Sequence, residues 1–69
     1  MKEFKVGDIV SHRTGRICNG RYGEIILFQG ELIVLDDEGA PDMAVVGHED
    51  ELTVVGTVKD NPGLLLEFV

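Results

Sequence analysis

Apolar positions along the chain come in short runs, each closed by glycine or a polar cluster. The clearest are "GEIILF" and "ELIVLD", Gly23–Phe28 and Glu31–Asp36, separated by Gln29 and Gly30. Runs of this length, rich in Ile, Leu and Val and bounded by turn residues, predict strands; a two-residue gap between them predicts a hairpin. The same pattern predicts strands at Asp8–His12, Met43–Val46, Leu52–Val58 and Leu64–Val69, with a short extended piece at Arg16–Cys18. Between them, "DEGAPD" reads as a polar loop with Gly39 and Pro41 as breakers, and "DNPG" as a turn. His48–Glu51 reads as a single 3₁₀ turn, because the β-branched Thr53, Val54 and Val55 that follow disfavour a longer helix. The expected fold is all-β, a small barrel of five to six short antiparallel strands in one domain spanning residues 1–69.

The hairpin raises a problem of surface. With Gln29-Gly30 as the turn, Phe28 faces Glu31, Leu27 faces Leu32, Ile26 faces Ile33 and Ile25 faces Val34. Side chains alternate across a sheet, so Ile25, Leu27, Leu32 and Val34 share the face expected to point inward. Ile26, Phe28, Ile33 and Leu35 share the other face, whose ends carry Glu24 and Glu31. Burying each of the four outer apolar side chains is worth about 1.5–3 kcal/mol, so together they rival the total stability of a small domain, roughly 5–15 kcal/mol. Two covers fit the pattern. One is internal: the C-terminal "GLLLEFV" folds across with Leu64, Leu66 and Phe68 toward the sheet. The other is a second chain, as a partner protein or another copy.

Size sharpens the problem. A chain of 69 residues buries a smaller fraction of its surface than a larger domain does, and folds of this size often need a staple. The single cysteine, Cys18, excludes an internal disulfide and fits a reducing compartment, so a cytoplasmic location is expected. Structural zinc takes four Cys or His ligands as a rule, and the chain has only Cys18, His12 and His48, so no metal or other cofactor is expected. The opening "MKEFKVGD" lacks the apolar run of a signal peptide, and no apolar stretch reaches the length of a membrane helix.

The net charge of −7 is unevenly distributed. Residues 1–23 carry five basic and two acidic side chains, net +3, whereas residues 24–69 carry Lys59 against eleven acids, net −10. An acidic surface repels phosphate, which disfavours nonspecific nucleic-acid binding and favours basic partners. The basic cluster lies in one loop: Arg13, Arg16 and Arg21, with Tyr22 beside them. It is the candidate polar contact patch, for phosphate or for an acidic protein surface, and it equally balances acids of the chain itself, such as Asp36, Asp37 and Glu38.

The pattern "VGDIV…NGRYGEII…GELIVLDD…HEDEL" resembles a small SH3-like barrel, and "NGRYGEI" within it resembles the KOW motif. The resemblance runs from about Val6 to Val55 and suggests a protein of bacterial or phage type. It implies glycines in tight turns at Gly20 and Gly23, where positive φ is reached without steric cost, and an Asp8 carboxylate bonded to backbone of the preceding turn. A KOW-like module implies nucleic-acid association, here through the Arg13–Tyr22 loop.

Catalytic motifs are absent. "HEDE" lacks the second histidine of H-E-x-x-H, with Leu52 in its place, and reads as a polar corner with His48 hydrogen-bonded. "DDEGAPD" lacks EF-hand spacing and reads as a solvated turn. Cys18 reads as a small buried side chain in preference to a nucleophile. The sequence thus leads to a non-enzymatic binding module for a protein partner or a homo-oligomer, one form being a phage accessory protein that modulates a host protein. Nucleic-acid association is the alternative.

Overall fold

The structure is a computed structural model that describes residues 3–15, 17, 22–36 and 38–61. It is all-β. The strands are β1 (Asp8–His12), β2 (Gly23–Phe28), β3 (Glu31–Leu35), β4 (Pro41–Ala44) and β5 (Leu52–Thr57), with a 3₁₀ turn at Glu49–Glu51 just before β5. All five are antiparallel members of one sheet in the order β4-β3-β2-β1-β5. The expected sixth strand, Leu64–Val69, lies outside the described residues, as do Arg16 and Cys18 of the short extended piece.

The β2–β3 hairpin has the expected register, with Ile25 opposite Val34, Ile26 opposite Ile33, Leu27 opposite Leu32 and Phe28 opposite Glu31. Gln29 and Gly30 both have positive φ, 52° and 82°. Two such residues in succession are the signature of a type I′ turn, whose twist matches that of the strands it joins. Gly30 adopts this conformation freely, whereas Gln29 does so against the crowding of its own Cβ.

Three strands differ in their bounds from the sequence pattern, β5 by one residue, since it ends at Thr57 and not at Val58. Strand β4 begins and ends two residues earlier than the pattern of apolar residues predicts. Pro41 acts as its first residue, opposite Leu35, and not as a breaker. Proline is tolerated there because β4 is an edge strand and Pro41 is its first residue. At its other end the chain leaves β4 after Ala44 and turns through Val45–Gly47, where the His48 N–H donates to the Val45 carbonyl. Strand β3 stops at Leu35 because Asp36 is committed to the loop. Its Oδ1 accepts from the N–H of both Glu38 and Ala40, each at 2.9 Å, so this carboxylate organises the polar loop as an Asx-type turn.

The core lies on one face. Val10, Ile17, Ile25, Val34, Val45 and Leu52 form a buried cluster, with Phe4, Leu32 and Met43 packed against it. Ile17 joins this cluster from the loop between β1 and β2, so a single apolar side chain pins that basic loop to the core side. Strand β5 carries one residue more than β1 across from Ile9 and Val10, a bulge that leaves Val55 without an opposite number. At the start of β1, Asp8 is buried; its Oδ2 accepts from the Lys5 N–H at 2.9 Å, the backbone contact expected of this residue.

Gly23 has a different role from the expected one. It is a strand residue without positive φ, opposite Val10. A Cβ added there would stand 2.5 Å from Val34 Cγ1 and 2.6 Å from the Leu35 carbonyl oxygen. The glycine is required because β3 presses directly on the backbone of β2 at this point. Gly20, its companion in the motif, is outside the described residues.

Gly23→Ala is expected to lower stability by about 1–3 kcal/mol, the usual cost of overpacking, measured as a lower denaturant midpoint. An unchanged midpoint would mean that β3 moves aside freely. Gln29→Asn is expected to raise stability by up to about 1 kcal/mol, because asparagine tolerates positive φ better.

Candidate interaction surface

The outer sheet face follows from strand parity. Ile9 on β1, Ile26 and Phe28 on β2, and Ile33 and Leu35 on β3 alternate with residues of the core face. The four outer residues singled out from sequence are not equally open. Phe28 is 49% exposed, whereas Ile26, Ile33 and Leu35 are half-buried. The most exposed apolar residue of the hairpin is Leu27, at 61%, although its parity is that of the core. It lies beyond the reach of the core cluster, which takes Ile25 and not Leu27 from β2.

Leu27 and Phe28 are consecutive and point to opposite faces, so the end of the hairpin is apolar on both sides. Another apolar residue is exposed in the turn after β4. The Val45 N–H donates to the Leu32 carbonyl at 3.0 Å, which brings the next residue, Val46, to the strand that pairs with Leu27. Val46 is 72% exposed. Sequence reasoning missed Leu27 and Val46 because alternation assigns a side but not the distance from the core. The available signal was position: Leu27 stands two residues from the turn, where a short sheet runs out of partners.

The basic loop is described only in part. Arg13 is exposed and Tyr22 is half-buried; Arg16 and Arg21 lie outside the described residues. Backbone geometry ties Arg13 to the polar corner, since its N–H donates to the Glu51 carbonyl at 2.8 Å.

That corner is the second feature of chemical interest. Glu51, at the end of the 3₁₀ turn, stands between two imidazoles. His48 Nδ1 lies 2.8 Å from Glu51 Oε2, and His12 Nε2 lies 3.4 Å from Oε1. The Thr14 N–H donates to His12 Nδ1 at 3.1 Å, which makes Nδ1 an acceptor and places the ring proton on Nε2, facing Glu51. The Thr14 hydroxyl is 2.8 Å from the same Nδ1. The hydrogen bond from His48 holds the Glu51 carboxyl below the usual glutamate range, outweighing the opposing effect of desolvation, with lesser help from the groups around it, Arg13 among them. His12, His48 and Glu51, with Asp42 and Met43, line an open cleft of about 300 Å³.

The arrangement joins the end of β1 to the turn before β5 and works as a latch. The Thr14 hydroxyl and the Thr14 N–H converge on one nitrogen of the His12 ring, a contact local to the turn after β1. Among the described residues, no group of three His, Cys, Asp or Glu side chains is placed to hold a metal ion. Nor, among them, is any helix long and apolar enough to cross a membrane. No protein family, curated protein or solved structure matches the chain.

The lowered pKa of Glu51 has a testable sign. A depressed carboxylate favours the folded state above its ordinary pKa, and that contribution is lost as the pH falls through the depressed value. In His48→Ala the Glu51 midpoint, followed through its side-chain carboxyl carbon by NMR, is expected to rise toward the ordinary glutamate value. An unmoved midpoint would remove His48 as the cause.

Proposed function

We propose that this chain is a non-enzymatic binding module that docks on another protein through the exposed end of its β2–β3 hairpin. The observation that carries this reading is the pair Leu27 and Phe28, two large apolar side chains exposed side by side on opposite faces of one strand end. Scattered exposed apolar residues are ordinary on a protein surface, but a two-sided apolar projection is an anchor shape. Transferring both side chains to a partner's pocket yields roughly 3–6 kcal/mol, enough to dominate a modest interface, where a few central residues carry most of the energy.

Charge supports a basic partner surface. The strands that form the projection belong to the acidic part of the chain, residues 24–69, and Glu31 lies opposite Phe28. Acidic residues around an apolar centre steer encounter with a basic rim and repel phosphate. The SH3-like reading is part of the same proposal. Its support is the strand order, with β1 between β2 and β5, and the 3₁₀ turn immediately before β5. Fold likeness does not choose the partner, since small barrels of this kind host many functions.

The test compares wild type with the full-length double variant Leu27→Asp/Phe28→Lys as bait, using quantitative recovery of bound protein. The variant should lose the specific partner at least tenfold while keeping its denaturant midpoint within about 0.5 kcal/mol of stability, because both positions are exposed. Equal recovery by both baits would overturn the reading. So would tight RNA or DNA binding whose salt dependence flattens in Arg13→Ala/Arg16→Ala/Arg21→Ala, which would establish the nucleic-acid alternative.

A further inference from the structure

His12 ends β1 with its side chain almost out of water, only 6% exposed. A neutral imidazole has one donor and one acceptor, whereas the doubly protonated ring has two donors and no acceptor. The surroundings of His12 bear on both forms. On one side stands the Glu51 carboxylate, its Oε1 3.4 Å from Nε2, which faces an N–H in either form. On the other side Nδ1 meets two groups of a single residue, the Thr14 N–H at 3.1 Å and the Thr14 hydroxyl at 2.8 Å.

These two groups are not equivalent. A backbone N–H only donates, so its bond requires a bare Nδ1, whereas a hydroxyl donates or accepts by rotating its hydrogen. The neutral ring offers one lone pair at Nδ1 to both. A second ring proton at Nδ1 sets donor against donor at the Thr14 N–H, while the hydroxyl is already at the distance from which it accepts that proton. Thr14 is exposed, so water replaces the ring as partner of its N–H. The neighbouring amides are bonded elsewhere: the Arg13 N–H donates to the Glu51 carbonyl at 2.8 Å and the Gly15 N–H to the His12 carbonyl at 2.9 Å. In this turn, the Thr14 N–H alone is bonded to an atom that takes up a proton.

Among the described residues, the charged groups around the ring come from three elements. Glu51 and His48 belong to the 3₁₀ turn and its start, Asp42 on β4 lines the same cleft, and Arg13 follows His12 in the chain. The two carboxylates favour a positive ring; Arg13, and His48 once it is charged, oppose it. The Glu51 carboxyl is held below the usual glutamate range, so it stays ionised into mild acid and still faces Nε2 there.

We propose that His12 is a proton-operated switch on the turn after β1: the neutral ring holds the Thr14 N–H, and the doubly protonated ring releases it and donates to the Thr14 hydroxyl instead. The end of β1 stays tied to Glu51 in both states. What changes is the backbone at Thr14, at the entry to the basic loop. The switch is independent of the docking role given to Leu27 and Phe28.

Nuclear magnetic resonance of the full chain, followed from about pH 8 to about pH 5, tests it. Long-range nitrogen–proton correlations of the neutral ring should place its proton on Nε2. As the ring takes its second proton, the protection of the Thr14 amide against hydrogen exchange should fall about tenfold in step with it, while Arg13 and Gly15 keep theirs. A neutral ring protonated at Nδ1, or Thr14 protection that does not follow the ring, overturns the proposal. Thr14→Val gives a second readout, because it keeps the N–H and removes the hydroxyl. It should fold nearly as well as wild type while the ring is neutral and about tenfold less well once the ring is doubly protonated. In a His12→Gln background that pH dependence should vanish. A Thr14→Val loss that is the same in both protonation states, or that persists with Gln at position 12, contradicts the exchange of partners.

Discussion

A sheet has two faces, and this chain makes both of them apolar. That constraint governs the molecule. Among the described residues, one face has a compact core, built on Val10, Ile25, Val34 and Leu52 with Val45 and Ile17 brought in from turns and loops. The other carries Ile9, Ile26, Phe28, Ile33 and Leu35. A protein of 69 residues cannot thicken its interior to absorb both. It must add a layer from its own ends, recruit another surface, or do both at different places. Burial along the outer face divides along those lines, from sealed Ile9 at one end to open Phe28 at the hairpin end.

The core side shows how closely the first requirement is met. Strand β3 approaches β2 so tightly at Gly23 that no side chain fits, and Asp8 at the start of β1 spends its carboxylate on the turn before it. At the other end of β1, His12, Glu51 and His48 latch the strand to the 3₁₀ turn. These polar contacts keep the strand ends in register over a small core. Glu51 remains 30% exposed, so water screens its ion pairs and their main effect is geometric.

Much of this was legible from residue pattern alone, for identifiable reasons. The hairpin register followed from Gln29-Gly30 because a two-residue turn leaves one pairing, and the 3₁₀ turn followed from a polar cluster ahead of β-branched residues. Other features were hidden because they depend on depth or on neighbours distant in sequence. Pro41 resembles a breaker unless its strand is known to be an edge. Gly23 resembles a turn glycine until β3 is placed against it. Leu27 has the parity of a core residue and the position of a surface one. Ile17, in a loop of arginines, gave no periodic signal of its burial.

Partner binding as proposed depends on the large apolar side chains left open at the hairpin end, Leu27 above all. Paramagnetic relaxation of methyl groups by a soluble gadolinium chelate, read on dilute monomer, measures this directly. The Leu27 methyls should relax strongly and those of Ile9, Ile25 and Val34 weakly. If Leu27 proves as protected as Ile25, the sheet has no surplus to offer a partner and the account is wrong.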